Sequence, residues 1–383
     1  MIQLTSLPPL SLYIHIPWCV RKCPYCDFNS HEARGEMPQQ AYADALVNDL
    51  EQALPLVWGR QVRTVFFGGG TPSLLSAQTL DDLLCRVRAL LPLAYGAEIT
   101  LEANPGTVEA DKFAAFRDAG INRLSLGIQS FDDVYLKALG RIHDAGEARR
   151  AAEIALSTFD NVNLDLMYAL PQQSLAHALA DIRTAIDYAP QHISAYHLTI
   201  EPNTAFHHRP PPLPDDDASS AMQETLESEL AAAGYEHYET SAFAARNKQC
   251  RHNLNYWQFG DYLGIGAGAH SKLSFADHIL RQARVKHPSA YLDGVGTGQH
   301  IESQRTLSRH DLGFEFMMNA LRLTEGFPVA LFQERTGMPI SVVRTTLEIA
   351  EKKGLIERDH LQLKPTTLGQ RFLNELLQLF LRT

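Results

Sequence analysis

Leu12-Tyr13-Ile14-His15-Ile16-Pro17-Trp18-Cys19-Val20-Arg21-Lys22-Cys23-Pro24-Tyr25-Cys26 is the stretch on which the reading of this chain turns. Leu12–Ile16 is an apolar, β-branched run that reads as a strand. It stops at Pro17, and the loop that follows carries three cysteines at C-x3-C-x2-C spacing. Soft thiolates presented from one short loop suit iron–sulfur chemistry, and three of them can hold three irons of a [4Fe–4S] cube. The loop offers no fourth thiolate: Phe28 stands where a C-x-C extension would place it. The fourth iron would then be open to a small molecule. A zinc knuckle is the competing reading, but it needs a fourth ligand at closed spacing, and only His15 and His31 are near. A metal-free trio would expose adjacent thiols to oxidation. The other two cysteines, Cys85 and Cys250, stand alone, with Cys85 expected on the apolar face of a helix. An odd count with one tight cluster is a poor disulfide framework and suits a metal site in a reducing compartment.

Downstream, short apolar runs alternate with amphipathic stretches. Strands are expected at Leu12–Ile16, Thr64–Phe67, Glu98–Glu102, Arg123–Ile128, Asn163–Tyr168 and Ile193–Thr199. Helices are expected at Gln40–Leu54, Ala77–Leu91, Val108–Ala119, Asp132–Leu139, Gly146–Leu156 and Leu175–Tyr188. Parallel neighbours need helical crossovers, so the alternation predicts an α/β fold: a partial (β/α)6 barrel of the TIM type. Its site would lie at the C-terminal ends of the strands.

Beyond the alternation, Pro210–Asp217 reads as an exposed connector, followed by a helix over Ala218–Ala233 and a strand-like Tyr235–Phe243. Residues 247–271 are aromatic- and glycine-rich without clear periodicity. Within them, Gly264-Ile-Gly-Ala-Gly-Ala-His270-Ser271 reads as a strand passing close to a ligand or a helix. The tail is mainly helical, at Phe327–Thr336, Ile340–Lys353 and Thr367–Leu381, with an apolar Leu361–Leu363 between the last two. A small winged helix is one reading of that tail, and a helical cap on the barrel is the other. The expected division is 1–245 for the core, 246–305 for a connecting segment and 306–383 for a smaller C-terminal domain.

Composition bounds the function. The 383 residues include 34 basic and 44 acidic side chains, a formal charge of -10, with 45% hydrophobic residues. So acidic a chain does not offer the basic surface that nucleic acid requires. No apolar stretch is long enough to span a bilayer and no secretory signal is evident, so the expectation is a soluble, cytoplasmic protein.

Polar groups recur at the ends of the expected strands. Gly68-Gly69-Gly70-Thr71-Pro72 closes the second, and glycines there let the backbone approach a ligand. Glu102, Gln129 and Asp165 close or line the next three, and Arg141 follows. Singly, each is a cap or a surface hydrogen bond; on successive units of one sheet they outline a pocket. Tyr13 lies on the first strand near the same mouth, and Tyr25 offers an aromatic face. His207-His208 reads as a solvated loop.

The cysteine loop with the Gly-Gly-Gly-Thr-Pro turn resembles the radical S-adenosylmethionine (SAM) superfamily. That resemblance implies a [4Fe–4S] cluster on Cys19, Cys23 and Cys26, with SAM chelating the open iron. One electron from the cluster then breaks the sulfonium bond and yields a 5′-deoxyadenosyl radical. It also implies that Tyr13, Gly69, Gly70, Thr71, Glu102, Gln129, Arg141 and Asp165 form the SAM pocket. Leu12-Tyr-Ile-His-Ile-Pro-Trp-Cys, Cys-Pro-Tyr-Cys-Asp-Phe and Leu-Gly-Ile-Gln-Ser-Phe are similar to the coproporphyrinogen III dehydrogenase-like branch, over essentially the whole chain. The true dehydrogenases of that branch carry a fourth cysteine and an N-terminal extension; here Phe28 replaces the cysteine and 18 residues precede Cys19. The heme-chaperone subfamily carries His-Asn-x-x-Tyr-Trp, present as His252-Asn-Leu-Asn-Tyr-Trp257. An imidazole is a good heme ligand, which makes His252 the candidate iron ligand and Cys250 the alternative. The chaperone reading implies heme as cargo, a heme-accepting recipient that is membrane-associated, and an electron donor such as flavodoxin or ferredoxin. The other reading is radical catalysis on a porphyrinogen.

Overall fold

The six expected strands lie side by side in chain order: β1 (Leu10–Ile16), β2 (Val62–Gly69), β3 (Leu93–Ala103), β4 (Arg123–Gln129), β5 (Val162–Tyr168) and β6 (His192–His197). All five pairings between them are parallel. The structure is a computed structural model and describes residues 2–107 and 109–381. The crossovers contain α1 (Gln39–Ala53), α2 (Ala77–Leu90), α3 (Ala110–Ala119), α4 (Asp133–Ala138), α5 (Ala145–Thr158) and α6 (Leu175–Asp187). Val108, the expected first residue of the third helix, lies outside the described residues.

Strand periodicity explains the layers. Leu10, Leu12, Ile14 and Ile16 of β1 join Val65, Phe67, Ile99, Leu101, Leu124 and Leu126 in one continuous core, to which Leu46 and Leu50 of α1 contribute. The alternate residues turn the other way and are polar although buried: Ser11, Thr64, Glu98, Thr100, Arg123, Ser125, Asn163 and His192. The sheet therefore has an apolar outer face and a polar lumen.

Cys85 departs from expectation. Leu80, Leu83, Leu84 and Val87 form the buried stripe of α2, and Cys85, one position off that stripe, is exposed. The connector also ends earlier than expected. Asp215 accepts from Ala218 N–H at 2.8 Å as an N-cap, so Asp216 and Asp217 form the first turn of α7 (Asp216–Ala232), where the helix dipole favours acids. Tyr235–Phe243 is not one strand but the hairpin β7 (Glu236–Glu239) and β8 (Ala242–Ala244), which finishes one edge of the sheet.

The segment without periodicity is ordered. It contains α8 (Arg251–Trp257) and β9 (Asp261–Ile265). Strand β9 pairs parallel with β1, from Leu10↔Asp261 to Ile14↔Ile265, and so adds a seventh parallel strand. Antiparallel β10 (His270–Ser274), β11 (Ile279–Arg284) and β12 (Ile301–Thr306) extend the sheet, with α9 (Pro288–Val295) between the last two. The twelve-stranded order runs β12-β11-β10-β9-β1-β2-β3-β4-β5-β6-β8-β7, an open barrel with two edges. Gly264–Ser271 is therefore not one strand but the end of β9, a turn and the start of β10; at that turn a Cβ on Gly266 (φ +101°) would lie 2.5 Å from His15 O and 3.0 Å from the Tyr42 hydroxyl of α1.

After α10 (Arg309–Ala320) come β13 (Phe327–Pro328), α11 (Val329–Thr336), α12 (Arg344–Lys352), β14 (Ile356–Arg358) and β15 (Gln362–Pro365), with strand order β13-β15-β14. Two helices followed by an antiparallel hairpin are a winged-helix arrangement rather than a plain helical cap. The last helix is broken at Phe372 into α13 (Thr367–Arg371) and α14 (Leu373–Phe380). Phe316, Phe327, Phe332, Leu347, Leu363 and Leu376 form a second core, which also takes in Ile2 and Leu4 from the N-terminal segment.

Candidate cluster and cofactor site

Strand β1 delivers the cysteine loop to the C-terminal mouth, and the glycine turn after β2 is laced to it. Gly70 N–H donates to Ile16 O and Thr71 N–H to Trp18 O, each at 2.7 Å. A Cβ on Gly70 would sit 2.5 Å from Trp18 O, which is why the position requires glycine. Trp18–Cys19 pairs with His31–Glu32 as a short parallel ribbon. Inside the loop, Lys22 Nζ donates to Phe28 O at 3.0 Å and Ser30 O at 3.2 Å. Asn29 Nδ2 reaches Ala267 O and Lys286 O, both at 2.9 Å, and ties the loop to the far end of the chain.

Cys19, Cys23 and Cys26 are free and half-buried. Burial raises the Cys19 and Cys26 thiols above their ordinary range, against hydrogen bonds from Thr71 and Ser30. Metal binding there would release protons. A zinc knuckle needs four ligands converging on one ion, whereas thiolates serving three separate irons of a cube need not meet at one point. Phe28, in place of a fourth cysteine, is 64% exposed.

Arg141 reaches the same loop. Its Nη1 is 3.5 Å from Cys23 Sγ, its Nη2 donates to Gly127 O at 2.8 Å, and its buried Nε has no partner. An unspent guanidinium donor beside the thiols fits a carboxylate ligand. Gly140 (φ +66°) allows this approach, because a Cβ there would lie 2.8 Å from Pro24 Cδ.

Glu102 accepts from Gly69 N–H at 3.2 Å. Register places Glu102 beside Ser125, and Gly127 beside Asp165. Burial and then the charge of Asp165 push the Glu102 carboxyl up to about 8. Asp165 accepts from Ser125 Oγ at 2.9 Å and Asn163 Nδ2 at 2.8 Å, yet burial still raises it. Two carboxyl groups sharing one desolvated floor favour a ligand bearing an ammonium, a sulfonium or hydroxyl donors. Gln129 ends β4 at φ +69°, with its Nε2 close over Gly127. Tyr13 donates toward His15 Nδ1 at 3.0 Å and flanks Gly68 opposite Glu102. Tyr25 packs on Phe206, whose N–H donates to Pro24 O at 2.9 Å, while His207 and His208 point to solvent. Ser125, Gly127 and Asn163 complete the floor; sequence reasoning missed them, although their polar alternation along β4 and β5 was a usable signal.

His252 lies elsewhere. Helix α8 plugs the opposite end of the lumen, where Glu98 caps it by accepting from Arg251 N–H at 3.1 Å and His252 N–H at 3.0 Å. The His252 ring is 1% exposed, with Nδ1 2.8 Å from Thr64 Oγ1 and Nε2 3.1 Å from the Tyr256 hydroxyl. Cys250 is fully buried against Glu98, and burial pushes its thiol up to about 12. In this conformation neither residue offers a free donor atom to an iron.

The sequence model of the Radical SAM superfamily matches residues 13–185, and that of the HemN C-terminal domain matches residues 307–372. The heme chaperone HemW of Escherichia coli is 53% identical over 382 residues, covering 99% of this chain and 100% of that protein. HemW of Haemophilus influenzae is 49% identical (98% and 99% covered), and HemW of Bacillus subtilis 34% (97% and 99%). The solved structure of E. coli coproporphyrinogen III oxidase, HemN, a radical SAM enzyme, aligns with a TM-score of 0.83 at 23% identity, over 98% of this chain and 90% of that one; it shares the fold. With identity of this order running from end to end, the chain belongs to the heme chaperone HemW family within the radical SAM superfamily.

Proposed function

We propose that this protein binds heme and hands it to a recipient protein, while holding a [4Fe–4S] cluster and SAM at the mouth of its barrel. The observation that carries the reading is the full-length, 53% identity to a protein named heme chaperone. Phe28 in place of a fourth cysteine supports it against the dehydrogenase alternative.

Cys19, Cys23 and Cys26 would hold the cluster. When bound, a reduced cluster with SAM on its open iron supplies one-electron cleavage of a sulfonium bond. The chain's own residues bind and orient. The Gly69–Thr71 turn fixes the cysteine loop, Arg141 holds a carboxylate next to Cys23, and Glu102 and Asp165 take ammonium and ribose donors. Tyr13 closes the wall beneath them. Residues 1–245 serve as the cofactor-bearing core, 246–305 as the link and 306–383 as the C-terminal domain.

The recipient we infer is a membrane-associated heme protein, and a flavodoxin or ferredoxin serves as electron donor. The compartment we infer is the cytoplasm, because half-buried free thiols and an open-iron cluster need a reducing milieu. Among the described residues no helix is long and apolar enough to cross a membrane.

Anaerobic, reconstituted protein given hemin and coproporphyrinogen III in parallel tests the reading. The expected result is stoichiometric heme binding with coproporphyrinogen untouched. Decarboxylated product in proportion to SAM consumed, with heme bound no better than by an unrelated protein, would overturn it.

A further inference from the structure

We propose that the heme is carried in the cavity between the β10–β12 extension of the sheet and helix α10, with His270 and His310 supplying the iron ligands. This rests on the heme-binding reading above and names its site.

The cavity has a volume of about 590 Å³, within the range of small-molecule and cofactor sites. Its walls come from two elements with different chemistry. On the sheet side, His270 ends the Gly-Ala-Gly-Ala-His run, starts β10 and is exposed to the cavity, and its ring makes no hydrogen bond among the described residues. On the helix side, His310, Phe314 and Met318 line the cavity. They are spaced i, i+4, i+8 and so form one stripe of α10. The opposite stripe, Leu312, Phe316 and Ala320, is buried in the second core and holds the helix in place. His310 is exposed and Met318 is 38% exposed, so this imidazole and this thioether are available.

Imidazole and thioether are among the side chains that ligate heme iron, and a phenyl ring packs on a porphyrin face. The rim is polar. Arg281 and Arg305 bridge the sheet to α10 through Glu315, at 2.6 Å and 3.1 Å. The Arg305 side chain is 59% exposed and can turn toward a propionate.

The same geometry gives the His-Asn-x-x-Tyr-Trp segment a role that its burial allows. His252 Nε2 meets the Tyr256 hydroxyl at 3.1 Å, and the Tyr256 ring packs edge-on against Tyr262 at 4.5 Å between centroids. The Tyr262 hydroxyl in turn accepts from Arg281, on the cavity wall. His252 is thus a positioning residue behind the cavity.

Hemin titration of the full-length, reconstituted protein, read by the Soret band and by low-temperature EPR, tests this with His270→Ala, His310→Ala, the double variant, and His360→Ala as an exposed-histidine control on the wing. Both target histidines are exposed, so folding is checked by circular dichroism and the cluster absorbance. Each single variant should weaken heme binding about tenfold or more and shift the Soret maximum, and the double variant should lose the wild-type spectrum. His360→Ala should match wild type. A double variant with wild-type affinity and spectrum would overturn the site while leaving the chaperone reading in place. Wild-type protein that binds heme no better than an unrelated protein would overturn both.

Discussion

Replacing Asp49 should unseat the sheet extension from the barrel. Its carboxylate is fully buried on α1 and accepts from four neighbours that are remote in sequence. These are Gly266 N–H at 3.2 Å, Arg284 Nη2 at 3.0 Å, the Tyr291 hydroxyl at 2.9 Å and His300 Nε2 at 3.1 Å. The Arg284 side chain is itself only 1% exposed, so deleting the carboxylate strands a guanidinium in the interior. Breaking a buried pair in this way costs about 3–5 kcal/mol, and Asp49→Ala also orphans the Tyr291 hydroxyl and Gly266 N–H, placing it at the upper end. Asp49→Asn keeps the shape and one acceptor and should cost about 2–3 kcal/mol. Against a typical total of about 5–15 kcal/mol either loss is large. Burial alone would raise the Asp49 carboxyl, but the Arg284 guanidinium and His300 outweigh it and hold the group below its ordinary range. Its stabilising effect is therefore complete above the unfolded carboxyl value of about 4 and fades as pH falls through the lowered folded value. Urea unfolding followed by far-UV circular dichroism at pH 7 and across the acid limb measures both effects. The Asn variant should show a lower midpoint and a shallower acid dependence. A loss below about 1 kcal/mol for Asp49→Ala would refute the claim that this carboxylate is the buried anchor.

Serine at Cys19, Cys23 or Cys26 should abolish the iron–sulfur absorbance on anaerobic reconstitution, whereas Cys85→Ser, exposed on α2, should leave iron and sulfide content unchanged. Asp165→Ala should weaken SAM binding to the reconstituted protein by about 1.5–3 kcal/mol, measured by equilibrium dialysis, through loss of a charge-assisted hydrogen bond. Unchanged affinity in both Asp165→Ala and Arg141→Ala would show the pocket to be misplaced. Gly70→Ala drives a Cβ to 2.5 Å from Trp18 O and should cost about 1–3 kcal/mol in thermal or urea unfolding and lower cluster occupancy.

The six inner strands were legible because each sets an apolar face on the helices and a polar face into the lumen, a period the sequence carries locally. The extension was not, because its strands bury charged side chains in ion pairs instead of presenting an apolar period. Lys272 of β10 is buried on Asp261 at 2.9 Å, Arg284 of β11 on Asp49, and β12 is mostly exposed, so none shows an apolar alternation. Helix α8 has seven residues and is capped by Glu98 of β3, so no local capping signal announces it. Asp215–Asp217 reads as linker because three acids follow a proline run, yet Asp215 is the N-cap and its neighbours are the first turn of α7. The nearness of the cysteine loop and the Gly69–Thr71 turn was legible, because both follow the ends of neighbouring strands. The burial of His252 was not, since a motif names residue types without saying which way the helix that bears them will face. The exposure of Cys85 is legible in the stripe of Leu80, Leu83, Leu84 and Val87, from which it is offset.

Strand β1 has β2 on one side and β9 on the other, and Asn29 in the cysteine loop is fastened to Ala267 and Lys286. During synthesis the thiols emerge from the ribosome early, but the two carbonyls that fasten Asn29 follow it by 238 and 257 residues. A nascent chain halted before Asp261 carries Cys19, Cys23 and Cys26 on a strand with one bare edge and a loop without its clamp. Because pairings so distant in sequence form late, a chain truncated before Asp261 should take up less iron and sulfide on anaerobic reconstitution than the full chain.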